Sequence, residues 1–96
     1  MNTLIGIISI MKRIIIDVRE PHEYEEDHVE GALNIPPAEL LAGAKKLDDV
    51  AKDTELVLYC KTGSRSNVGI QILKSLGFTN LTNGINSGHV RKSISN

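Results

Sequence analysis

Short apolar runs recur along the chain. Residues 13–18 and 55–60 are apolar on both faces and rich in β-branched or aliphatic side chains, a pattern that is typical of buried parallel strands. Residues 32–35 and 80–82 are weaker strand candidates. Residues 83–88 are rich in asparagine, glycine and serine, and this composition predicts turns.

The segments between these runs have the spacing of amphipathic helices. One helix is predicted over residues 37–50, and another over residues 67–76 with Ser66 as its N-terminal cap. Shorter helices are predicted within residues 20–30 and near residues 89–94. The side chains predicted to face inward are Leu40, Leu41, Ala44 and Leu47 in the first helix and Val68, Ile72 and Leu76 in the second. Strands that alternate with helices indicate an α/β fold, with a mostly parallel sheet and helices on both faces.

The 96 residues are enough for one domain. We assign residues 13–96 to this domain and residues 1–12 to a lead-in or a first strand. Residues 4–11 are apolar but too few to span a bilayer, and neither a preceding positive charge nor a cleavage site marks them as a signal peptide. We therefore expect a cytoplasmic protein with a reduced thiol, with the periplasm as the alternative.

Composition narrows the possible functions. A single cysteine excludes an internal disulfide and a multi-cysteine zinc cluster, and the three histidines lack the spacing of metal ligands. With 3% aromatic residues and a net charge of −1, the chain is not expected to bind nucleic acid. All twelve Asp and Glu residues fall within residues 1–55, whereas residues 56–96 hold five Lys or Arg and no acid. This asymmetry has two interpretations. Either the charged residues lie on solvated surfaces and their distribution is due to chance, or the second half of the chain binds a small anion.

Reactive chemistry is expected where the strand at residues 55–60 ends. Cys60 closes this strand, and the polar loop after it leads into a helix N-terminus, whose free N–H groups and dipole favour negative charge. Gly63 allows backbone conformations that other residues resist, while Lys61 and Arg65 add positive charge. An isolated cysteine at a strand end is more often a small buried apolar residue. In this loop, however, the surroundings predict a lowered pKa and an activated nucleophile.

Two stretches of the sequence resemble the signatures of the rhodanese-like sulfurtransferases. The active-site loop of that family is similar to residues 59–66, which read Tyr59-Cys60-Lys61-Thr62-Gly63-Ser64-Arg65-Ser66. The family's other signature resembles residues 16–36, and residues 77–81 resemble the segment after its active-site helix. The two signatures together are specific, and the resemblance extends over residues 13–83.

The resemblance implies a central parallel sheet of about five strands and a mechanism in which a cysteine carries a persulfide. Carried over to this sequence, Cys60 takes a sulfane sulfur from thiosulfate or a persulfide donor and passes it to cyanide or a thiol. The implied substrate-binding residues are Lys61, Thr62, Gly63, Ser64, Arg65 and Ser66, with Asp17 and Arg19 in support. The expected partners are an anionic sulfur donor, a thiol or cyanide acceptor and a sulfur-accepting protein. No metal, organic cofactor, nucleic acid or membrane is expected.

Two other functions remain open from the sequence. A non-catalytic domain of the same fold would bind a protein or sense sulfide, although such domains usually lose the cysteine. A phosphatase or arsenate reductase of related fold would carry one more residue than the four between Cys60 and Arg65. The chain also departs from the family pattern, because residues 83–89 lack the adjacent glycines and the tryptophan of many relatives.

Overall fold

A computed structural model describes residues 12–94 of the chain. Its elements follow the order β1 (Arg13–Asp17), α1 (Pro21–Glu26), β2 (Leu33–Asn34), α2 (Pro37–Leu41), a 3₁₀ turn (Lys45–Leu47), β3 (Glu55–Cys60), α3 (Ser64–Ser75), β4 (Leu81–Asn86) and α4 (Ser87–Ile94). None of these helices is long and apolar enough to cross a membrane. The alternation of strands and helices confirms the predicted α/β class.

The strands of the described sheet run parallel, in the order β2-β1-β3-β4. β1 and β3 lie at its centre and are covered on both faces, which explains why their sequences are apolar throughout. The predicted parallel sheet is confirmed, but residues 12–94 contain four strands rather than about five. The first strand considered before residue 12 lies outside the described residues.

The two faces of the sheet bury different clusters. On one face, alternate side chains of β1 and β3 pack against α2, the 3₁₀ turn and α3, and the cluster includes Ile14, Ile16, Leu40, Leu47, Leu56, Leu58 and Leu73. On the other face, Tyr59 packs with Val29, Ala32 and, from α4, Val90. Helices therefore lie on both faces, as predicted. Since successive strand side chains alternate between faces, Cys60 lies on the α3 side.

The helix predicted over residues 37–50 is shorter than expected, because α2 ends at Leu41. Gly43 and Ala44 have φ angles of 110° and 51°, and these left-handed conformations end a right-handed helix. Leu41, which was expected to face inward, is 74% exposed. The other three side chains of the predicted inward face are buried.

The loop after Cys60 turns into a helix sooner than predicted. α3 begins at Ser64 rather than at Asn67. Gly63 precedes α3 with a φ of 95°, a conformation that favours glycine. Ser66 therefore lies inside the first turn of α3 and is not the cap of this helix.

The face of α3 that meets the sheet differs from the prediction only in part, because Ile72 and Leu76 are partly buried against the core as expected. Val68 is 57% exposed, whereas Gly69, Ile70 and Leu73 are buried. A Cβ atom on Gly69 would lie 2.9 Å from Cδ2 of Leu58. The missing side chain thus lets α3 pack closely against β3.

Residues 83–88 belong to regular structure, so the turns predicted there are wrong. β4 runs to Asn86 and α4 follows at once. The pairing of β4 with β3 contains a bulge, in which Gly84 is an extra residue without a partner. The next residue, Ile85, has a φ of 72° although its side chain is β-branched, a combination that most proteins avoid.

Replacing Gly69 with alanine is expected to lower the free energy of unfolding by about 1 kcal/mol, because overpacking of the new Cβ against the buried Leu58 and Leu40 side chains outweighs the roughly 1 kcal/mol that alanine gains in helix propensity. Gly88→Ala is the matched control, since Gly88 is exposed on α4 and its Cβ would meet only Oδ1 of Asn86, at 3.4 Å. Alanine at residue 88 should leave stability unchanged or raise it by about 0.5 kcal/mol. Urea titrations measure both variants, and equal changes would contradict the close packing at Gly69.

Candidate active site

Cys60 lies at the carboxyl end of β3, where open parallel sheets bind their ligands. Its side chain is 2% exposed and belongs to the core cluster on the α3 side. Lys61 and Thr62 are exposed and Gly63 is buried. The hydroxyls of Thr62 and Ser64 lie 3.1 Å apart on the exposed rim. The six residues expected to bind substrate therefore form one loop and the first turn of α3, next to the sulfur.

Main-chain N–H groups are directed at the Cys60 sulfur. The amide of Gly63 donates to Sγ at 3.1 Å, and the amide of Ser66 donates at 3.4 Å. The Ser66 hydroxyl lies 3.6 Å from the same sulfur atom. Together with the dipole of α3, these donors make the end of the loop suited to negative charge.

The pKa of the Cys60 thiol reflects two opposing effects. Burial raises it, because the charged form loses water. Hydrogen bonds from the Ser66 hydroxyl, when its proton is turned to the sulfur, and from the backbone amides of Ser66, Thr62 and Gly63 outweigh burial and lower the pKa to about 7. A free cysteine has a pKa of about 8.5. These donors therefore favour the thiolate form of Cys60.

Arg65 is paired with a carboxylate from α1. Its Nη1 and Nη2 donate to Oε1 and Oε2 of Glu23 at 2.7 and 3.2 Å. Hydrogen bonds from Arg65 and from the Glu20 backbone lower the pKa of Glu23 to about 2, and the same pairing raises the pKa of Arg65. The sequence did not predict that Glu23 belongs to the site. Its carboxylate nevertheless neutralises a large part of the Arg65 charge that was expected to hold an anion.

A second pair of this kind links the residue directly after α1 to α4. Arg91 of α4 donates to both carboxylate oxygens of Asp27 at 3.1 Å. Arg65 and Arg91 come from the basic second half of the chain, and their partners come from the acidic first half. The charge asymmetry of the sequence therefore corresponds, at these two positions, to ion pairs within the protein.

Asp17 and Arg19 form an ion pair behind the loop. The buried Asp17 carboxylate accepts hydrogen bonds from Nε and Nη2 of Arg19 at 2.9 and 2.7 Å. The Tyr59 hydroxyl donates to Asp17 at 2.9 Å and accepts from the Val29 amide at 3.0 Å. Burial, together with the bond to Asp17, raises the pKa of Tyr59 to about 12, so this hydroxyl keeps its proton. The network fixes the residue that precedes Cys60.

One side chain that lies beside the loop was not predicted from the sequence to belong to the site. Nδ2 of Asn83, in β4, donates to the Gly63 carbonyl at 2.9 Å. Oδ1 of Asn83 accepts from the Ser66 hydroxyl at 2.6 Å. Asn83 lies in the stretch that departs from the family pattern, and this departure was the available signal.

Known proteins are similar to this chain over most of its length. A rhodanese-like domain matches residues 4–91. The thiosulfate sulfurtransferase PspE of Escherichia coli (strain K12) is 38% identical over 68 residues, which cover 71% of this chain and 64% of PspE. The uncharacterized protein YqhL of Bacillus subtilis (strain 168) is 38% identical over 72 residues, which cover 75% of this chain and 55% of YqhL. The chain thus spans less than two thirds of the length of either relative.

Solved structures share the fold. A rhodanese with anions from E. coli has a TM-score of 0.71 and 31% identity, covering 80% of this chain and 89% of that chain. The human single-domain sulfurtransferase TSTD1 has a TM-score of 0.68 and 27% identity, covering 97% of this chain and 90% of that chain. Because a rhodanese-like domain matches residues 4–91 and these solved structures share the fold, the chain belongs to the rhodanese-like family, in which relatives such as PspE and TSTD1 are named sulfurtransferases.

Proposed function

We propose that this chain is a sulfurtransferase in which Cys60 carries the transferred sulfur as a persulfide. The main support is the pair of amides, from Gly63 and Ser66, that donate to a thiol whose pKa is about 7. The proposed donor is thiosulfate or a persulfide, and the proposed acceptor is cyanide or a thiol, which a sulfur-accepting protein can supply. Because the cysteine has to be free to react, we also propose a reducing compartment such as the cytoplasm.

In the first step, the Cys60 thiolate attacks the outer, sulfane sulfur of thiosulfate. A bond forms between Sγ and this sulfur, the sulfur–sulfur bond of thiosulfate breaks, and sulfite leaves with the electron pair of that bond. No proton is transferred, because the thiolate and the resulting persulfide each carry one negative charge. We expect the amides of Gly63 and Ser66 to stabilise this charge as it moves to the outer sulfur.

In the second step, cyanide or a thiolate attacks the outer sulfur of the persulfide. Thiocyanate or a new persulfide leaves, and the electron pair of the broken bond returns to Cys60 as the thiolate. The two steps share one enzyme-bound intermediate, so we expect ping-pong kinetics.

A binding or sensing module of the same fold is the alternative function. Such a module needs the fold but has no requirement for a thiolate. The hydrogen bonds that lower the pKa of Cys60 favour catalysis over this alternative.

Intact-protein mass spectrometry tests the persulfide. Incubation with thiosulfate is expected to add the mass of one sulfur atom, and cyanide is expected to remove it. The control is Cys60→Ser, which should fold like the wild type but gain no sulfur and transfer none. If the wild type gains no mass from thiosulfate or from a small persulfide donor while its thiol remains free for alkylation, the chain is not a sulfurtransferase and the binding module is favoured.

The pH dependence of alkylation tests the state of the thiol. Iodoacetamide reacts with thiolate, so its rate should rise with pH to a plateau, with a midpoint at the Cys60 pKa of about 7. The same chain unfolded in urea is the control. Its midpoint should lie at about pH 8.5, the pKa of a free cysteine. Equal midpoints for the folded and unfolded chain would contradict an activated cysteine.

The charges around the loop are expected to control the KM for thiosulfate. Arg65→Ala should raise KM about tenfold, because the loop loses a cation and leaves the Glu23 carboxylate unpaired near a dianion, and Lys61→Ala should raise it about two- to fivefold. Glu23→Gln should lower KM about two- to fivefold, since it frees the charge of Arg65.

These differences should shrink as salt is added. Arg91→Ala is the control for loss of contact with α1, because it breaks the other ion pair, with Asp27, and should leave KM unchanged. If Glu23→Gln raises KM as much as Arg65→Ala does, the pair of Arg65 and Glu23 maintains the conformation of the loop and does not control the charge near the substrate.

A further inference from the structure

Three acceptors surround the single proton of the Ser66 hydroxyl. Oγ of this buried serine lies 2.6 Å from Oδ1 of Asn83, 3.0 Å from the Gly63 carbonyl oxygen and 3.6 Å from Sγ of Cys60. A serine hydroxyl has one hydrogen and cannot satisfy all three acceptors at once. The shortest of these contacts is the one to Asn83.

Two backbone groups hold the Asn83 amide in one orientation. The Ile85 N–H donates to Oδ1 at 2.9 Å, and Nδ2 donates to the Gly63 carbonyl at 2.9 Å. Turning the amide by half a rotation would set its NH₂ group against the Ile85 N–H and its oxygen against the Gly63 carbonyl, so both bonds would be lost. The atom that faces the Ser66 hydroxyl is therefore an acceptor, and Ser66 is the donor in this contact.

A Ser66 hydroxyl that donates to Asn83 presents a lone pair to Cys60. In this state it can accept a hydrogen bond from a neutral thiol, but it cannot donate one to a thiolate. To do so, its proton has to leave Oδ1 of Asn83 and turn towards the sulfur. The contact with Asn83 thus favours the protonated cysteine and opposes the amides of Gly63 and Ser66.

We propose that Asn83 is a positioning residue that withholds the Ser66 hydroxyl proton from the Cys60 sulfur and so restrains thiolate formation. The proposal deepens the proposed function, because the thiolate is the attacking group in sulfur transfer. Its geometry, however, is independent of whether sulfur is transferred.

The charged groups near Cys60 act separately from this contact. They are Arg65 of α3 with its partner Glu23 of α1, the exposed Lys61 of the loop, the pair of Asp17 and Arg19 behind Tyr59, and His89 of α4, which bonds to the Gly84 carbonyl. Within residues 12–94, none of these side chains is a hydrogen-bond partner of the Ser66 hydroxyl or the Asn83 amide. Substituting Asn83 therefore removes an acceptor without removing a charge.

The test is the pH dependence of Cys60 alkylation by iodoacetamide in Asn83→Leu. Leucine branches at the same side-chain atom as asparagine but has no hydrogen-bonding atoms. We expect the midpoint to fall by about half a pH unit, because the acceptor in the shortest contact of the hydroxyl is gone and its proton is then shared between the Gly63 carbonyl and the sulfur. Asn80→Ala is the control, because it removes an asparagine side chain just before β4 that bonds to the Asp53 carbonyl, and it should keep the wild-type midpoint.

The same substitution in a Ser66→Ala background shows whether Asn83 acts through the hydroxyl. Without that hydroxyl there is no proton to withhold, so Asn83→Leu should not move the midpoint of Ser66→Ala. The proposal is overturned if the midpoint rises or stays unchanged in the single variant, or if it falls equally in both backgrounds.

Asn83→Ala serves if circular dichroism shows that the leucine variant does not fold. The alkylation assay needs no sulfur donor. Failure of this proposal is therefore distinguishable from failure of persulfide loading.

Discussion

Placing a negative charge on the sulfur of a cysteine that is 2% exposed requires hydrogen-bond donors in place of the lost water. The donors in this chain are main-chain N–H groups at the start of α3, and several features of the fold serve to bring them to the sulfur. Gly63 takes a left-handed conformation so that the loop closes over the strand end, and α3 begins directly after it at Ser64. Gly69 then brings the helix close to β3. The loop is thus held between the end of β3, to which it is joined, and α3, which packs closely against β3.

The sequence was sufficient for the features that depend on local pattern. β1 and β3 are apolar on both faces because both faces are covered, and this pattern is visible without a structure. Gly77 follows α3 with a φ of 100°, a left-handed conformation that glycine commonly adopts at the end of a helix. The errors occur where tertiary contacts decide. A φ of 51° at Ala44 is not encoded by alanine, and Asn83 belongs to a strand because it pairs with β3 although its surroundings resemble a turn.

The candidate site divides in the same way. Cys60 and its loop are contiguous, so their chemistry follows from residue types within a few positions. Glu23 reaches Arg65 across 42 positions of the chain, and the presence of a carboxylate there was visible but its target was not. The pKa of the cysteine is lowered as expected, but the hydrogen bonds contribute more, and the nearby cations less, than the sequence suggested. Hydrogen bonds from Ser66 and the loop amides account for the lowering, whereas the cation of Arg65 is shared with Glu23.

The bulge in β4 has a consequence for how freely this site can vary. In an uninterrupted parallel ladder, the N–H groups of a strand are directed at neighbouring strands. The extra Gly84 and the left-handed Ile85 instead turn one N–H towards Oδ1 of Asn83. A chain shortened by this one glycine would regain a regular ladder, but its Asn83 amide could rotate and offer NH₂ to the Ser66 hydroxyl. The irregular backbone therefore distinguishes the two ends of a side chain whose ends have almost the same shape.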